Sequence, residues 1–310
     1  MNKYAPEGNL ISTFENHELT SSYKGLEKAL EKQIILEAPA ILCDHAFNLH
    51  VSLGSRIRGI IPKDEAQYSP REETKDIAIL TRVGKPVCFK VIGFEKDSKG
   101  EVVAILSRRC AQRECVISYI NALEPGDIIP TRITHLENFG AFVDIGCGII
   151  SLLSIDSISV SRISHPSARL SVGDSLYTVV KSIDEAGRIF VSAKELLGSW
   201  EENAARFNEG QTVRGIIRSV ESYGVFVELR PNLAGLAEYR DGVYPGQTAA
   251  VYIKSIIPDK MKIKLIIIDS HNAPPEKEPI EYFIDTDRIT HIDSWTYSPT
   301  GCKKTIESVF

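Results

Sequence analysis

The sequence predicts a mainly β protein of three tandem five-stranded barrels joined by short helices, with an N-terminal helix and a small C-terminal β extension. Three observations carry this expectation. A block of short strand-like runs recurs three times along the 310 residues, and internal repetition is the signature of a repeat architecture. Each block spans about 65–75 residues of five short strands without a long internal helix. An aromatic pair around a glycine stands at the same place in two of the blocks, as Phe139-Gly140-Ala141-Phe142 and Tyr223-Gly224-Val225-Phe226. A sheet this small removes its exposed edges most readily by closing on itself.

Residues 1–33 form an N-terminal helical extension. Leu19, Tyr23, Leu26, Leu30 and Ile34 are spaced by three or four, and Lys24, Glu27, Lys28, Glu31 and Lys32 fill the other face, so an amphipathic helical segment is expected from Ser12 to Gln33, with Thr20, Ser21 or Ser22 as its cap. It should pack on the first block; docking to a partner is the alternative. Residues 34–109 are the first and most divergent block, with strands at Ile34–Cys43, Phe47–Leu53, Gly59–Pro62, Val87–Phe94 and Glu101–Leu106 and a charged loop at Pro70–Asp76. Residues 110–122 are a helical linker.

Residues 123–194 form the second block. Its strands are expected at Ile128–Thr134, Phe139–Ile145, Ile150–Ile155, Leu176–Ile183 and Arg188–Ser192, with a polar loop from Ser157 to Leu170. Residues 195–208 are a second helical linker, with Leu196, Leu197, Trp200 and Ala204 at helical spacing. Residues 209–269 are a shorter third block. Residues 270–310 hold a Pro- and Glu-rich linker and a tail expected to give two or three strands that pack on the third block. Five-stranded Greek-key barrels of this size are OB-folds, whose strand 2–3 face is a frequent site for oligonucleotides.

Composition narrows the function. The hydrophobic fraction is 43% and the charged fraction 25%, as in an ordinary soluble protein. No apolar run approaches the roughly 18–20 residues that span a membrane, and the first residues lack the apolar core of a signal peptide; a cytosolic protein with no membrane partner is expected. Cys43, Cys88, Cys110, Cys115, Cys147 and Cys302 form no Cys-x-x-Cys pair, so reduced thiols are expected rather than a metal site. There is no Gly-rich phosphate loop, no Gly-x-Ser-x-Gly and no paired histidines at metal spacing. No enzymatic activity, cofactor or metal is expected. The net charge of −5 argues against a protein that neutralises many phosphates.

The aromatic pairs point elsewhere. In a straight strand, alternation puts Phe139 and Phe142 on opposite faces. A glycine in a strand often marks a bulge or bend, and a bend at Gly140 would bring both rings to one side. Paired rings on a sheet surface suit stacked nucleobases; the alternative is that both are core. Trp200 and Trp295 read as packing residues, and His165-Pro166 as a loop lock.

The second block resembles the RNA-binding repeat of bacterial ribosomal protein S-one. The residues that carry the likeness are Gly126-Asp127, Thr131-Arg132-Ile133, Phe139-Gly140-Ala141-Phe142-Val143-Asp144, Arg162-Ile163-Ser164-His165-Pro166, Val172-Gly173-Asp174, Ile183-Asp184 and Gly187-Arg188-Ile189. The third block is similar through Gly210-Gln211, Tyr223-Gly224-Val225-Phe226-Val227, Gly235-Leu236 and Gly246-Gln247, and the first through Phe47-Asn48-Leu49-His50-Val51, Leu53-Gly54, Arg58-Gly59-Ile60 and Val83-Gly84.

The resemblance implies RNA binding by two exposed aromatics on strand 2, a histidine on strand 3, and an Asp and Arg around the last hairpin. In the second block these positions hold Phe139, Phe142, Ser154, Asp184 and Arg188, with Arg132 a candidate to line the groove. In the third they hold Tyr223, Phe226 and Glu238, with Lys262 near the Arg position and no counterpart of the Asp. In the first, Phe47 and His50 match the aromatics, Pro62 the histidine, and Glu95 stands near the Asp position. The implied function is non-catalytic binding of single-stranded RNA, such as mRNA in translation, with the small ribosomal subunit as a partner. The rival is a protein-interaction scaffold docking to the ribosome or a ribonuclease, using the two termini.

Overall fold

A computed structural model describes residues 3–54, 57–69, 75–272 and 279–310. Most of the charged loop expected at Pro70–Asp76, and of the Pro- and Glu-rich linker, lies outside these residues. By internal contacts the chain divides into two units, Met1–Leu123 with Asp144–Ile150, and Glu124–Val143 with Ser151–Phe310.

The first unit begins with α1 (Phe14–Thr20) and α2 (Tyr23–Lys32), where a single helical segment was expected. Two serines make the break. Ser22 is extended (φ −145°), and its side chain accepts from Gly25 N to start α2, as an N-cap does. Gly25 is needed because a Cβ there would lie 2.5 Å from Leu19 O across the helix crossing. Leu19, Leu26 and Ala29 are buried with the barrel core around Leu36, Leu49, Leu53 and Phe89, so this extension is structural.

The barrel comprises β1 (Leu36–Cys43), β2 (Leu49–Leu53), β3 (Ile57–Ile61), α3 (Asp76–Leu80), β4 (Pro86–Lys96) and β5 (Val102–Ser107). It closes in the order β1-β2-β3-β5-β4, with β3 and β5 parallel. α4 (Arg108–Ser118) follows, capped by Ser107.

The first unit also holds a buried charged group. Arg108 donates from Nε to Glu7 Oε1 at 2.6 Å, Glu7 N donates to Asp144 Oδ2 at 2.7 Å, and Gly8, Leu10 and Ile11 N–H groups converge on Glu37 Oε2. Cys88, Cys115 and Cys147 are buried free thiols.

The second unit contains two barrels. The first is built from β6 (Ile128–Glu137), β7 (Gly140–Asp144), β8 (Ile150–Ser154), α5 (Ile155–Ile158), β9 (Ser175–Ile183) and β10 (Ile189–Ser192), with β8 and β10 parallel. The polar loop expected at Ser157–Leu170 contains the end of α5 and a turn at Pro166–Ala168. That turn is locked by His165, whose Nδ1 accepts from Ser167 N at 3.1 Å.

The second linker is not one helix. A 3-10 turn at Lys194–Leu197 ends at Gly198, and Ser199 starts α6 (Trp200–Ala204). Gly198 adopts φ +81°, which favours glycine. Ser199 and Glu202 then form a reciprocal capping box that restarts the chain. The last barrel is β11 (Thr212–Glu221), β12 (Gly224–Arg230), β13 (Leu233–Ala237), β14 (Thr248–Ile257) and β15 (Lys262–His271), closing as β11-β12-β13-β15-β14.

The tail forms a two-stranded sheet, β16 (Ser294–Thr296) with β17 (Glu307–Val309). It serves both barrels of its unit rather than the last alone. Tyr297 is buried with Trp200, Val225 and Leu233, and its hydroxyl donates to Asn232 O at 2.6 Å. Tyr282, Ile284, Ile292 and Phe310 pack on Ile128, Val179 and Leu196. The tail's apolar residues recur too widely to share one patch, so they cover two. Among the described residues no helix is long and apolar enough to cross a membrane.

Candidate nucleic-acid interface

Phe139 and Phe142 come together by a route other than the expected bend. β7 begins at Gly140, so Phe139 belongs to the turn before it and strand alternation does not govern it. Its carbonyl accepts from Ile155 N at 2.9 Å, which fixes the turn while the ring stays 55% exposed. Ala141 and Val143 point into the core and leave Phe142 on the outer face. The two rings meet edge to face, with centroids 6.0 Å apart and planes at 90°.

The glycine answers a different need. A Cβ on Gly140 would lie 2.9 Å from Ser154 Cα, and closer still to Leu153 O, on the neighbouring strand. Glycine is there for close strand approach.

The last barrel repeats this construction. Tyr223 precedes Gly224 and is 68% exposed. Its ring meets Phe226 at 6.2 Å and 88°. A Cβ on Gly224 would lie 2.5 Å from Ala237 O. A bulge is present, but on the partner strand β11, between Ile217 and Ser219 opposite Phe226.

A third ring joins the second-block pair. His135 stacks on Phe142 at 6.3 Å with planes 23° apart, and its Nε2 lies 2.8 Å from Glu137 Oε1. Sequence reading missed it, although counting back across the short hairpin brings it toward Phe142. In the last barrel Ser219 takes the cross-strand place on Phe226.

The other candidates fall in separate places. Asp184 and Arg188 pair within the β9–β10 turn, Nε to Oδ2 at 2.7 Å, and Asp184 also accepts from the Ala186 and Arg188 N–H groups. The Arg188 N–H, then its side chain, hold the Asp184 carboxyl below its ordinary value. Arg188 is 75% exposed. Arg132 is half-buried on β6, opposite Ser175.

Ser154 begins a polar chain, donating to Ser157 Oγ at 2.8 Å, which also accepts from Lys181 Nζ at 3.0 Å. Lys181 was also missed, because only the fold brings β9 to α5. Lys262 and Glu238 are exposed.

Phe47 and His50 do not repeat the paired arrangement. Phe47 has φ +62°, packs partly buried against the first unit's core and carries Lys63 Nζ 4.8 Å above its ring. His50 Nε2 lies 3.3 Å from Asp44 Oδ2. Burial opposes the Asp44 charge, but hydrogen bonds from Asn48 and His50 hold it at about 2. Both residues are engaged in closing the β1–β2 turn. Among the described residues no group of His, Cys, Asp or Glu is arranged to hold a metal ion.

Small closed barrels with parallel third and fifth strands and an aromatic pair on the second-strand hairpin define an OB-type, nucleic-acid-binding class of domain. Within that class, residues 122–194 match the family model of the S1 RNA binding domain. The chain is distantly related to small ribosomal subunit protein bS1. It is 27% identical over 267 residues to that of Staphylococcus saprophyticus and 28% over 266 residues to that of Staphylococcus haemolyticus, covering 81% of this chain and 65% of each relative. The chain thus spans just under two thirds of the relatives it matches. Among solved structures, a multidomain protein with nucleic acid binding domains from Streptococcus pneumoniae aligns over 76% of this chain and 73% of its own, with 17% identity and a TM-score of 0.25.

Proposed function

We propose that this chain is a non-catalytic, cytoplasmic protein that binds single-stranded RNA by stacking bases on Phe139, Phe142 and His135, with Tyr223 and Phe226 as a second platform. The single observation that carries this reading is the recurrence of one geometry, an exposed edge-to-face pair beside a close-approach glycine, in two barrels of one unit. Chance burial gives no reason for an exposed ring at both sites. The match of residues 122–194 to an RNA-binding domain supports the ligand class. Arg188, fixed by Asp184, supplies a cation at the hairpin where the resemblance expects one. The distant relation to bS1 favours mRNA in translation, with the small ribosomal subunit as the associated assembly.

The rival scaffold reading relies on the two termini. Leu19, Leu26 and Tyr297 of these segments are buried inside the protein, while Phe14 and Val309 stay exposed.

Each base–aromatic stack contributes about 1–3 kcal/mol. Replacing Phe139 and Phe142 by Ala in the full chain should weaken binding of a fluorescent mixed-sequence RNA at least tenfold by anisotropy. Both rings lie outside the core, so the double variant should keep its fold, checked by circular dichroism. An unchanged affinity in the folded variant overturns the reading.

A further inference from the structure

The strand registers fix one row of side chains on the outer face of each barrel. In the last barrel Phe226 lies opposite Leu236 on β13, Leu236 beside Lys264 on β15, and Lys264 opposite Ser255 on β14. In the second-block barrel the same row follows from two anchors. Phe139 O accepts from Ile155 N, and Gly140 faces Ser154. Residue numbers therefore rise along β7 as they fall along β8, which sets Phe142 beside Leu152. Leu152 pairs with Phe190 on β10, and Phe190 with Ser182 on β9.

Phe190 belongs to the outer face. Ile189 and Val191 on either side of it are buried, and Phe190 is half-buried between them. Phe142 and Leu152 have the same intermediate burial, while Ala141, Val143 and Leu153 fill the core. A single apolar side chain on a surface needs no explanation; a ring in line with an exposed aromatic pair does.

The row differs between the barrels at this position. In the first barrel it reads His50, Ile60, Ile105, and in the last Phe226, Leu236, Lys264. In the second-block barrel it reads Phe142, Leu152, Phe190, so there a second ring stands two strands beyond the first. Neighbouring strands are about 4.7–4.9 Å apart, which places the backbone of Phe190 about 10 Å from that of Phe142. That distance is about three base spacings of 3.4 Å in a stacked strand. One RNA strand therefore reaches both rings, with Leu152 as an apolar floor between them. Arg188, two residues before Phe190 and 75% exposed, is held by Asp184 at 2.7 Å, close in the chain to where the phosphates would pass.

We propose that Phe190 is a further base-stacking position, so that a single RNA strand crosses β7, β8 and β10 around the barrel instead of ending on the Phe139–Phe142 hairpin. This inference rests on the reading of that pair as base stackers. Phe190 accepts any base, since every base has a π-face. In the last barrel Lys264 offers a cation at the same place, so the two platforms treat this point of the strand differently: one holds a base, the other a phosphate.

The test uses the full chain with Tyr223→Ala and Phe226→Ala, which leaves the second-block platform as the one measured. Binding of a fluorescent mixed-sequence RNA of about 8–12 nucleotides is read by anisotropy. Phe190→Leu keeps apolar bulk and removes the π-face; circular dichroism and the melting temperature check its fold. It should bind at least about fivefold more weakly, the lower end of what one base–aromatic stack contributes, whereas Phe190→Tyr should stay within about twofold of the parent. Phe190→Lys, which copies the last barrel, should steepen the fall of log affinity with log salt by about 0.7, the effect of one added phosphate contact on a single strand. A ring that only packs on Leu152 would leave that slope unchanged. Unchanged affinity in folded Phe190→Leu, with the loss still seen on replacing Phe139 and Phe142 by Ala, overturns the assignment of Phe190 and leaves the pair as the platform. An equal loss in Phe190→Leu and Phe190→Tyr, or an unchanged slope in Phe190→Lys, overturns it as well. If neither Phe190→Leu nor the paired replacement alters affinity, the stacking reading itself fails, and the role of Phe190 with it.

Discussion

Gly140→Ala tests how the aromatic platform is built. The added Cβ meets three backbone positions of β8 and its end: Ser154 Cα at 2.9 Å, the Leu153 carbonyl carbon at 3.2 Å and, closer still, the Leu153 oxygen. Backbone cannot rotate away as a side-chain tip can. Relief requires β7 and β8 to separate at the point where Phe139 O accepts from Ile155 N. Overpacking costs about 1–3 kcal/mol, and the backbone nature of this clash places it near the upper figure. At about 2–4 °C per kcal/mol for a body of this size, the melting temperature should fall by about 6–12 °C. Scanning calorimetry on the full chain reads this, and RNA anisotropy below the transition should show weaker binding because Phe139 moves with the turn. Gly93→Ala in β4 is the control, with nothing within 4 Å and no positive φ; it should be neutral or gain about 0.4–1 kcal/mol. If Gly140→Ala melts with the wild type and binds RNA equally, close approach is not why glycine stands there.

Three further outcomes follow from the electrostatics. Burial and the Glu7 charge raise Glu37 to about 7 and also push Asp144 up. A carboxyl raised in the folded state stabilises while protonated, and that contribution is lost as pH rises through the folded value. Hydrogen-exchange protection of first-unit amides should therefore increase on acidifying from about pH 8 to about pH 5.5, an increase that Glu37→Gln should reduce; a flat wild-type profile contradicts the assignment. Glu7 has the opposite sign. Burial raises it but Arg108 prevails and holds it low, so its contribution disappears on further acidification. Arg108→Met leaves Glu7 charged and buried and should cost about 3–5 kcal/mol in urea unfolding. The exposed pair of Arg58 with Asp97 should show no measurable change when Arg58 is replaced in the same way. Finally, RNA affinity should fall less than about tenfold between 50 and 200 mM salt, against about 10³–10⁵ for a protein making 6–10 phosphate contacts. A slope of the larger size would transfer the binding from the rings to the arginines and lysines.

The barrels were legible because their determinants are local and repeated. The aromatic–Gly–aromatic cluster, the Gly-Asp and Gly-Gln turns and the strand runs recur within one block's length. The aromatic pair was legible as a pair, but the reason for it was not. Alternation assumes that Phe139 lies in a strand, whereas it lies in the turn, and the glycine's function depends on a carbonyl of β8 that sequence does not place. Ser22 was legible as a helix cap, whereas the break at Gly198-Ser199 lies inside apolar spacing that reads as one helix. Phe47 and His50 matched by position, yet Lys63 and Asp44 engage them, and neither partner is implied by a motif. Arg169 and Glu228 illustrate the limit. They are 59 residues apart, in different barrels, and only the packed unit makes one site of them.

The acidic net charge argues against a protein that binds mainly through phosphates, and several of its carboxylates are already engaged inside the protein. Glu7, Glu37 and Asp144 are buried in a network with Arg108 and backbone N–H groups. Glu228 lies beneath two arginines, and Asp184 is enclosed by its own turn. These charges count in the total but project little negative potential toward a ligand, since hydrogen bonds and ion pairs already compensate them. The paired rings carry no charge, and stacking of bases on them, as proposed, needs no basic surface.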